Sequence, residues 1–127
     1  MKLISVVIPA YRAEKIIVKT LTGVKETLDA IRYRYEIICV DDGSPDNTFK
    51  KASKFSKLHP KKIRVFGYKK NKGKGNAVRY GMARAKGDII GFVDVGVELN
   101  PNGISMLLEH FEWYNADIII GSKRHPA

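Results

Sequence analysis

Residues 3–8 read Leu3-Ile4-Ser5-Val6-Val7-Ile8, an apolar run that is continuous rather than alternating. A strand of this kind is buried on both faces, which is typical of a parallel sheet covered by helices. Pro9 is expected to end the strand. In the next segment, residues 13–32, the apolar positions are spaced by three and four residues and predict one buried stripe of a helix: Ile17, Leu21, Val24, Leu28 and Ile31.

The same alternation of strand and helix continues along the chain. Further strands are predicted at residues 35–40, 63–68, 88–94 and 117–121. Helices are predicted at residues 48–58, with Phe49, Ala52 and Phe55 inward, then through Ala77 and Met82, and from Pro101 to a last helix that includes Trp113. This order predicts an α/β fold: an open, mainly parallel sheet of about five strands with helices on both faces.

Length and composition predict one globular domain covering residues 1–127. A hydrophobic content of 44% and a charged content of 28% exclude a disordered or collagen-like chain. The lone Cys39 excludes an intramolecular disulfide and favours a reducing, cytoplasmic compartment, where it would be an inert core residue. No apolar run approaches the roughly 20 residues that cross a bilayer, and no signal peptide is recognised.

The net charge of +10 is unevenly distributed. Residues 50–86, which we call the basic belt, contain fourteen Lys and Arg and no Asp or Glu, whereas the rest of the chain sums to −4. Such a belt indicates an anionic partner: nucleotide phosphates, a lipid-phosphate surface or nucleic acid. The alternative is a solvated lysine-rich surface. No nucleic-acid partner is expected, because no aromatic platform is interleaved with the lysines beyond Phe66, Tyr68 and Tyr80, and the sequence has no nucleic-acid fold signature.

Polar residues follow the predicted strands at the edge where such sheets bind ligands. Asp41 and Asp42 could accept hydrogen bonds from a base or a ribose, or help to hold a divalent cation. The alternative is that Asp42 only shapes a turn while Asp46 caps the next helix. Asp94 also follows an apolar strand, where it either faces a ligand or forms a turn.

A glycine-rich basic loop precedes the third helix, and it suits a phosphate: Asn71-Lys72-Gly73-Lys74-Gly75. It is not a P-loop, because Lys74 is followed by Gly75 rather than Ser or Thr. It also fails the dinucleotide fingerprint, because Val78 stands where the last glycine belongs. Kinase-like and NAD-linked chemistry are therefore disfavoured.

In this order the segments resemble family 2 glycosyltransferases of the GT-A fold, specifically their Rossmann-like, nucleotide-sugar-binding half. The segment from Val6 to Glu14 is similar to the family's opening motif, with Arg12 and Ala13 where an asparagine is usual. The segment from Val40 to Thr48 matches the V-D-D-G-S-x-D-x-T signature. The segments from Asn71 to Gly81 and from Gly121 to Pro126 are similar to the dolichol-phosphate mannose and glucose synthases.

The resemblance implies inverting transfer from a UDP- or GDP-sugar to a polyprenyl (dolichyl) phosphate at a membrane surface. It implies that the base and ribose are lined by Pro9, Tyr11, Glu14, Asp41 and Asp42, with Asp42 rather than Asp41 as the expected base contact. It places Lys74 and Arg79 at the diphosphate, and Asp94 at the ribose and metal as the catalytic residue. A divalent metal, Mg or Mn, would be held by Asp94 and Glu98.

Two departures from the family pattern affect these expectations. Gly96 replaces the second aspartate of the usual Asp-x-Asp, which predicts weak metal binding. The chain is also shorter than a complete GT-A domain, so it is expected to be truncated and weakly active at most. A non-catalytic binding module is the alternative. The enzyme is expected in the cytoplasm, peripherally at the cytoplasmic face of the membrane, and exposed apolar residues could drive homodimerisation.

Overall fold

The computed structural model describes residues 2–31, 33–96 and 112–115. Its elements in chain order are β1 (Leu3–Ala10), α1 (Ile17–Asp29), β2 (Arg34–Asp42), α2 (Thr48–Leu58), β3 (Ile63–Tyr68), α3 (Lys74–Arg84), β4 (Ile89–Phe92) and β5 (Glu112–Asn115). The predicted α/β fold class is confirmed. None of the helices in these described ranges is long and apolar enough to cross a membrane.

The five strands form one sheet in the order β3-β2-β1-β4-β5. Strands β1 to β4 are mutually parallel, and β5 runs antiparallel to β4. Strand β1 therefore lies at the centre of the parallel part, and its side chains from Ile4 to Ala10 are all buried. The continuous apolar pattern of residues 3–8 follows from this position, because helices cover both faces of the strand.

The helices divide between the two faces of the sheet. Helices α1 and α2 pack on the face that carries Val6, Ile8 and Cys39. Helix α3 packs on the opposite face, against Val7 and Val40. Cys39 is fully buried, and burial raises the pKa of its thiol to about 12, as expected for an inert core residue.

Several predicted boundaries and orientations are corrected. Pro9 does not end β1 but lies within it, paired in register with Val40 of β2. Helix α1 begins at Ile17 rather than Ala13, because Ala13 opens a turn whose carbonyl accepts the N–H of Ile17 at 2.7 Å. Phe49, predicted to face inward, is 44% exposed. It is the second residue of α2, and its ring lies against Gly67 instead of entering the core.

The region after β4 differs most from the prediction. Trp113 was assigned to a helix but lies in β5, where it pairs in register with Gly91. The strand predicted at residues 117–121 and the helix predicted from Pro101 lie outside the described residues. The extent of a single domain over residues 1–127 stays a prediction.

Candidate functional site

The carboxyl ends of the four parallel strands lie at one side of the sheet, which we call the carboxyl edge. Strands β1 and β4 are neighbours, but α1, which follows β1, and α3, which precedes β4, cover opposite faces. The strand order therefore reverses at β1, with β2 and β3 on one side of it and β4 on the other, and open α/β sheets bind ligands in the crevice at such a point. Tyr11 directly follows β1 and Asp94 closely follows β4, so both border this crevice.

Asp42 organises the basic loop between β3 and α3. Its Oδ1 accepts hydrogen bonds from the Tyr68 hydroxyl (2.6 Å) and the Lys72 N–H (2.9 Å). Its Oδ2 accepts from Asn71 Nδ2 and from the Gly73 N–H, both at 2.9 Å. A carboxylate has about four lone-pair positions for hydrogen bonds, and these four donors occupy all of them. Asp42 is 3% exposed, and a direct contact with a base would require one of these donors to leave.

Asp41 does not act as a pair with Asp42, because neighbouring residues in a strand point to opposite faces of the sheet. Its Oδ1 accepts the N–H of Ser44 at 3.3 Å, and the residue is 4% exposed. Burial raises the pKa of the Asp41 carboxyl above its usual value. The hydrogen bonds from Ser44 lower it by less, and the charges of Asp46 and Asp42 raise it further. The predicted option of a shared cation between the two aspartates is therefore not supported.

The loops after β1 and β2 are fastened to each other. Three hydrogen bonds join them: the Arg12 N–H donates to Ser44 Oγ (2.9 Å), the Ala13 N–H to Thr48 Oγ1 (2.8 Å) and the Glu14 N–H to Asp46 Oδ2 (3.4 Å). Asp46 also accepts the backbone N–H of Thr48 at 3.1 Å at the start of α2. The prediction that Asp46 caps α2 is corrected: the N-cap is Asn47, whose side chain makes no capping hydrogen bond, and Asp46 accepts the first helical N–H from the preceding position while also linking the neighbouring loop.

The loop after β1 presents an aromatic side chain at the edge. Tyr11 is 42% exposed. Its hydroxyl accepts a hydrogen bond from Arg12 Nε at 3.2 Å, and the guanidinium lies 5.5 Å from the ring centroid. Glu14 is half-buried beside it, whereas Pro9 is buried within β1. The roles predicted for Pro9, Tyr11 and Glu14 in lining a base stay predictions.

Basic side chains border the other side of the crevice. Lys74 is the first residue of α3, and its ammonium lies 2.7 Å from Asp94 Oδ1. The ammonium also lies 5.4 Å from the ring centroid of Phe92 in β4. Arg79 is exposed one turn further along α3. The structure thus brings Lys74 and Asp94 together from segments 20 residues apart in the chain.

The described residues do not supply a ligand set for a divalent cation. Mg²⁺ and Mn²⁺ prefer several oxygen ligands, commonly carboxylates. Within residues 2–31, 33–96 and 112–115, no three His, Cys, Asp or Glu side chains cluster in a way that could hold a metal. Asp94 is engaged by Lys74, and Gly96 has no side chain. Glu98, the other predicted ligand, lies outside the described residues.

Sequence reasoning missed the residues that hold the site together. Tyr68 and Asn76 were given no part in it, yet Asn76 Nδ2 donates to the Tyr68 hydroxyl at 3.1 Å, and that hydroxyl donates to Asp42. Gly43, with a φ of 69°, allows the loops after β2 and β3 to approach, because a Cβ there would lie 2.4 Å from the Asn71 nitrogen. The aspartate-glycine-serine pattern itself was the available signal for a tight junction.

A cavity of about 800 Å³ lies at the opposite edge, where the strands begin. Its lining includes Tyr33, Glu36, Arg64 and Lys86. Glu36 is already paired there: its carboxylate accepts from Arg64 Nη2, Ser5 Oγ and the Lys86 N–H, each at 2.6 Å. We place the candidate site at the carboxyl edge because the reversal of strand order and the exposed polar side chains coincide there.

Curated relatives with assigned names match almost the whole chain. It is 33% identical to a dolichol-phosphate mannosyltransferase of Pyrococcus furiosus, over 94% of this chain and 33% of that protein. It is 35% identical to a dolichyl-phosphate beta-glucosyltransferase of Drosophila melanogaster, over 96% of this chain and 41% of that protein. The chain thus spans about a third to two fifths of the length of these relatives.

Solved structures share the fold. Staphylococcus aureus TarS 1-349 in complex with UDP-GlcNAc is 25% identical with a TM-score of 0.68, covering 98% of this chain and 32% of that chain. Glucosyl-3-phosphoglycerate synthase from Mycobacterium tuberculosis, solved with Mn²⁺, UDP and glucosyl-3-phosphoglycerate, is 27% identical with a TM-score of 0.60, covering 79% of this chain and 36% of that chain. The model of the glycosyl transferase family 2 matches residues 5–126, and the chain therefore belongs to that family.

Proposed function

We propose that the carboxyl edge binds the nucleoside diphosphate of a UDP- or GDP-sugar, as the donor half of an inverting glycosyltransferase. One observation carries the proposal: the side chains of Asp42, Ser44 and Thr48 accept hydrogen bonds from backbone N–H groups of neighbouring loops, and these bonds fasten three loops into one frame. The frame holds one aromatic and one charged side chain at the crevice, where a ligand can reach them: Tyr11 is 42% exposed and the side chain of Lys74 is 56% exposed. A site held in place before the ligand arrives loses less entropy on binding.

Each side chain has a part in this proposal. Tyr11 stacks against the base, since an aromatic face accepts a flat ring with little loss of freedom. Lys74 and Arg79 neutralise the diphosphate, and Asp94 accepts from the ribose. Asp42 acts through the loop it holds, and the buried Asp41 accepts a hydrogen bond from the nucleoside through its carboxylate.

The acceptor in the proposal is a polyprenyl phosphate. Its support is the names of the two matched relatives, which are dolichol-linked transferases. The basic belt favours a location at an anionic membrane surface, because belt lysines such as Lys50, Lys61 and Lys69 are exposed. We expect the protein to co-sediment with vesicles that contain anionic lipid. Equal binding to neutral vesicles would contradict a role of the basic belt in membrane binding.

A divalent cation is proposed to bind at most weakly at this site. Solved relatives contain Mn²⁺ together with UDP. In this chain Gly96 offers no ligand at the position where the family usually has its second aspartate. Weak binding would give little change in thermal stability when Mn²⁺ is added without nucleotide.

The deciding experiment is a calorimetric titration with UDP and GDP. We expect one of them to bind, and Tyr11→Ala to weaken that binding by about tenfold or more, since stacking on an aromatic ring contributes on the order of 1–3 kcal/mol. Tyr33→Ala is the matched control, because Tyr33 is 48% exposed but lies at the opposite edge. Equal loss in both variants, or no binding of either nucleotide to folded protein, would refute the proposal.

A non-catalytic nucleotide-binding module is the second candidate, and Gly96 is the observation that favours it. The two candidates differ in a transfer assay with dolichyl phosphate in vesicles and a labelled UDP- or GDP-sugar. Label that moves to the lipid supports the transferase. Label that binds the protein without moving to the lipid supports the module.

A further inference from the structure

We infer that the Lys74 ammonium, held by Asp94, takes the place of a divalent cation at the diphosphate, so that nucleotide binding to this chain needs no metal. The inference rests on the proposed function, because it requires a nucleoside diphosphate at the carboxyl edge. It explains why the position two residues beyond Asp94 can be Gly96.

The carboxylate of Asp94 is paired with a cation. In the described residues its carboxylate has a cationic partner supplied by the chain itself, with Lys74 Nζ 2.7 Å from Oδ1. Within those residues, no further carboxylate joins Asp94 in a cluster that could hold a metal. The positive charge at the end of β4 therefore comes from a side chain.

Further contacts fix the position of the Lys74 ammonium. Besides Asp94, it lies 5.4 Å from the ring centroid of Phe92, which is a cation–π distance. The backbone before Lys74 is fixed as well, since Asp42 accepts the N–H of Gly73 at 2.9 Å. The side chains of Lys74 and Asp94 are still 56% and 54% exposed, so a ligand can reach both.

The N-terminal turn of α3 does not by itself favour the positive charge of Lys74. Lys74 lies in the first turn of α3, where the helix dipole opposes a cation, and that turn contains no acidic residue. Nothing local to the helix therefore favours a lysine there. Lys72 and Arg79 add two further exposed cations in the same loop and helix, a concentration of positive charge that suits a diphosphate.

The Lys74 ammonium can donate to Asp94 and to a ligand at the same time. An ammonium has three N–H donors, so Lys74 can keep its contact with Asp94 and donate to two phosphate oxygens. It can thus connect the carboxylate to the diphosphate and offset the charge on the nucleoside diphosphate.

The test is calorimetric titration of the whole chain with UDP and GDP, in EDTA and in MnCl₂. We expect the dissociation constant of the bound nucleotide to be the same in both buffers. Lys74→Met should weaken binding by about 10- to 100-fold, as expected for loss of a charged hydrogen bond. Lys74→Arg should restore most of it, and Lys57→Met, an exposed lysine at the end of α2, should leave it unchanged.

Gly96→Asp provides the converse experiment. An ideal Cβ at Gly96 meets nothing within 4 Å among the described residues, so a side chain can be introduced there without displacing them at its Cβ. In Lys74→Met/Gly96→Asp we expect Mn²⁺ to restore the binding that Lys74→Met loses. Nucleotide binding to the unmodified chain that disappears in EDTA and returns with Mn²⁺ would overturn the inference while leaving the proposed function intact. Absence of binding in both buffers would overturn both.

Discussion

The carboxylate of Asp42 accepts the backbone N–H of Gly73 at 2.9 Å, joining the end of β2 to the residue that precedes α3. Gly73 has a φ of 98°, in the region that favours glycine. This contact fixes where α3 begins and hence where Lys74 is placed. The second aspartate of the family signature therefore determines the conformation of a loop about 30 residues further along the chain.

Asp42→Asn should both destabilise the protein and abolish nucleotide binding. The amide nitrogen would face N–H groups that now donate to the carboxylate, and we expect a loss of about 2–3 kcal/mol in the free energy of unfolding. Urea denaturation measures this loss. Asp88→Asn is the control, because Asp88 accepts the Leu3 N–H at an exposed position. A loss for Asp42→Asn no larger than the control would contradict the role of Asp42 as an organiser.

Asp41→Asn should have the opposite effect on stability. The pKa of the Asp41 carboxyl is raised, chiefly by burial, so its ionised form destabilises the folded state at any pH above that pKa. Asparagine removes this charge, and we expect a gain on the order of 1 kcal/mol at about pH 7. The gain should shrink as the pH falls through the raised pKa, where the wild type is neutral too.

Measuring nucleotide affinity shows whether the destabilising charge of Asp41 contributes to ligand binding. If the buried charge serves the ligand, Asp41→Asn should be more stable and bind UDP or GDP more weakly. Urea denaturation at neutral and acid pH, together with calorimetry, measures both. A variant that is less stable at neutral pH would show that the charge stabilises the fold.

The sequence was sufficient to predict the parallel part of the sheet. Strand β3 and helix α2 were predicted with their observed bounds, because strong periodicity ends at clear turn residues. Strand β5 was missed because Glu112–Asn115 is too short to show a period, and its pairing with β4 depends on tertiary structure. Trp113 was consequently assigned to the preceding helix.

The candidate site was predicted less completely than the fold. Lys74 and Asp94 were both singled out, but nothing in the sequence shows that they form an ion pair, since they meet only after α3 and β4 pack. Asp42 was expected to face a ligand. The sequence could not show that it holds a loop, because its four donors come from residues 26 to 31 positions away. Sequence motifs identified chemically capable residues without showing which of them the fold itself uses.

Glu36→Gln should reduce the dependence of stability on acid pH. Burial raises the pKa of Glu36, but hydrogen bonds from Ser5, the Lys86 N–H and Arg64 outweigh burial and lower it below its usual 4.5. A lowered carboxyl pKa stabilises the folded state above the unfolded pKa, and that stabilisation disappears as the pH falls through the folded pKa. The gap between wild type and variant should therefore narrow below about pH 4.5.

At neutral pH we expect Glu36→Gln to cost about 2 kcal/mol, discounted from a fully buried pair because Arg64 is partly exposed. Glu26→Gln is the matched control, because Glu26 is exposed on α1. Its loss should stay within about 1 kcal/mol. Urea denaturation across the acid range measures both variants, and parallel curves for wild type and Glu36→Gln would contradict the role of the charge.

Two glycine-to-alanine substitutions should act in opposite directions. An ideal Cβ at Gly81 would lie 2.4 Å from Val7 Cγ1, so α3 packs directly on β1 and an alanine must displace it. We expect Gly81→Ala to cost about 1–3 kcal/mol through overpacking. Gly23, inside α1, has nothing within 4 Å of its ideal Cβ, and Gly23→Ala should stabilise by about 0.5–1 kcal/mol through helix propensity.

The effect of Gly81→Ala should reach the site, because α3 carries Lys74 at its first residue and Arg79 one turn further along. Moving α3 away from β1 increases the distance from Lys74 to Asp94, which follows β4 on the same sheet. We therefore expect Gly81→Ala to weaken nucleotide binding and Gly23→Ala to leave it unchanged, both measured by calorimetry on protein shown to be folded. Unchanged affinity in Gly81→Ala, despite its lower stability, would mean that the site tolerates displacement of α3.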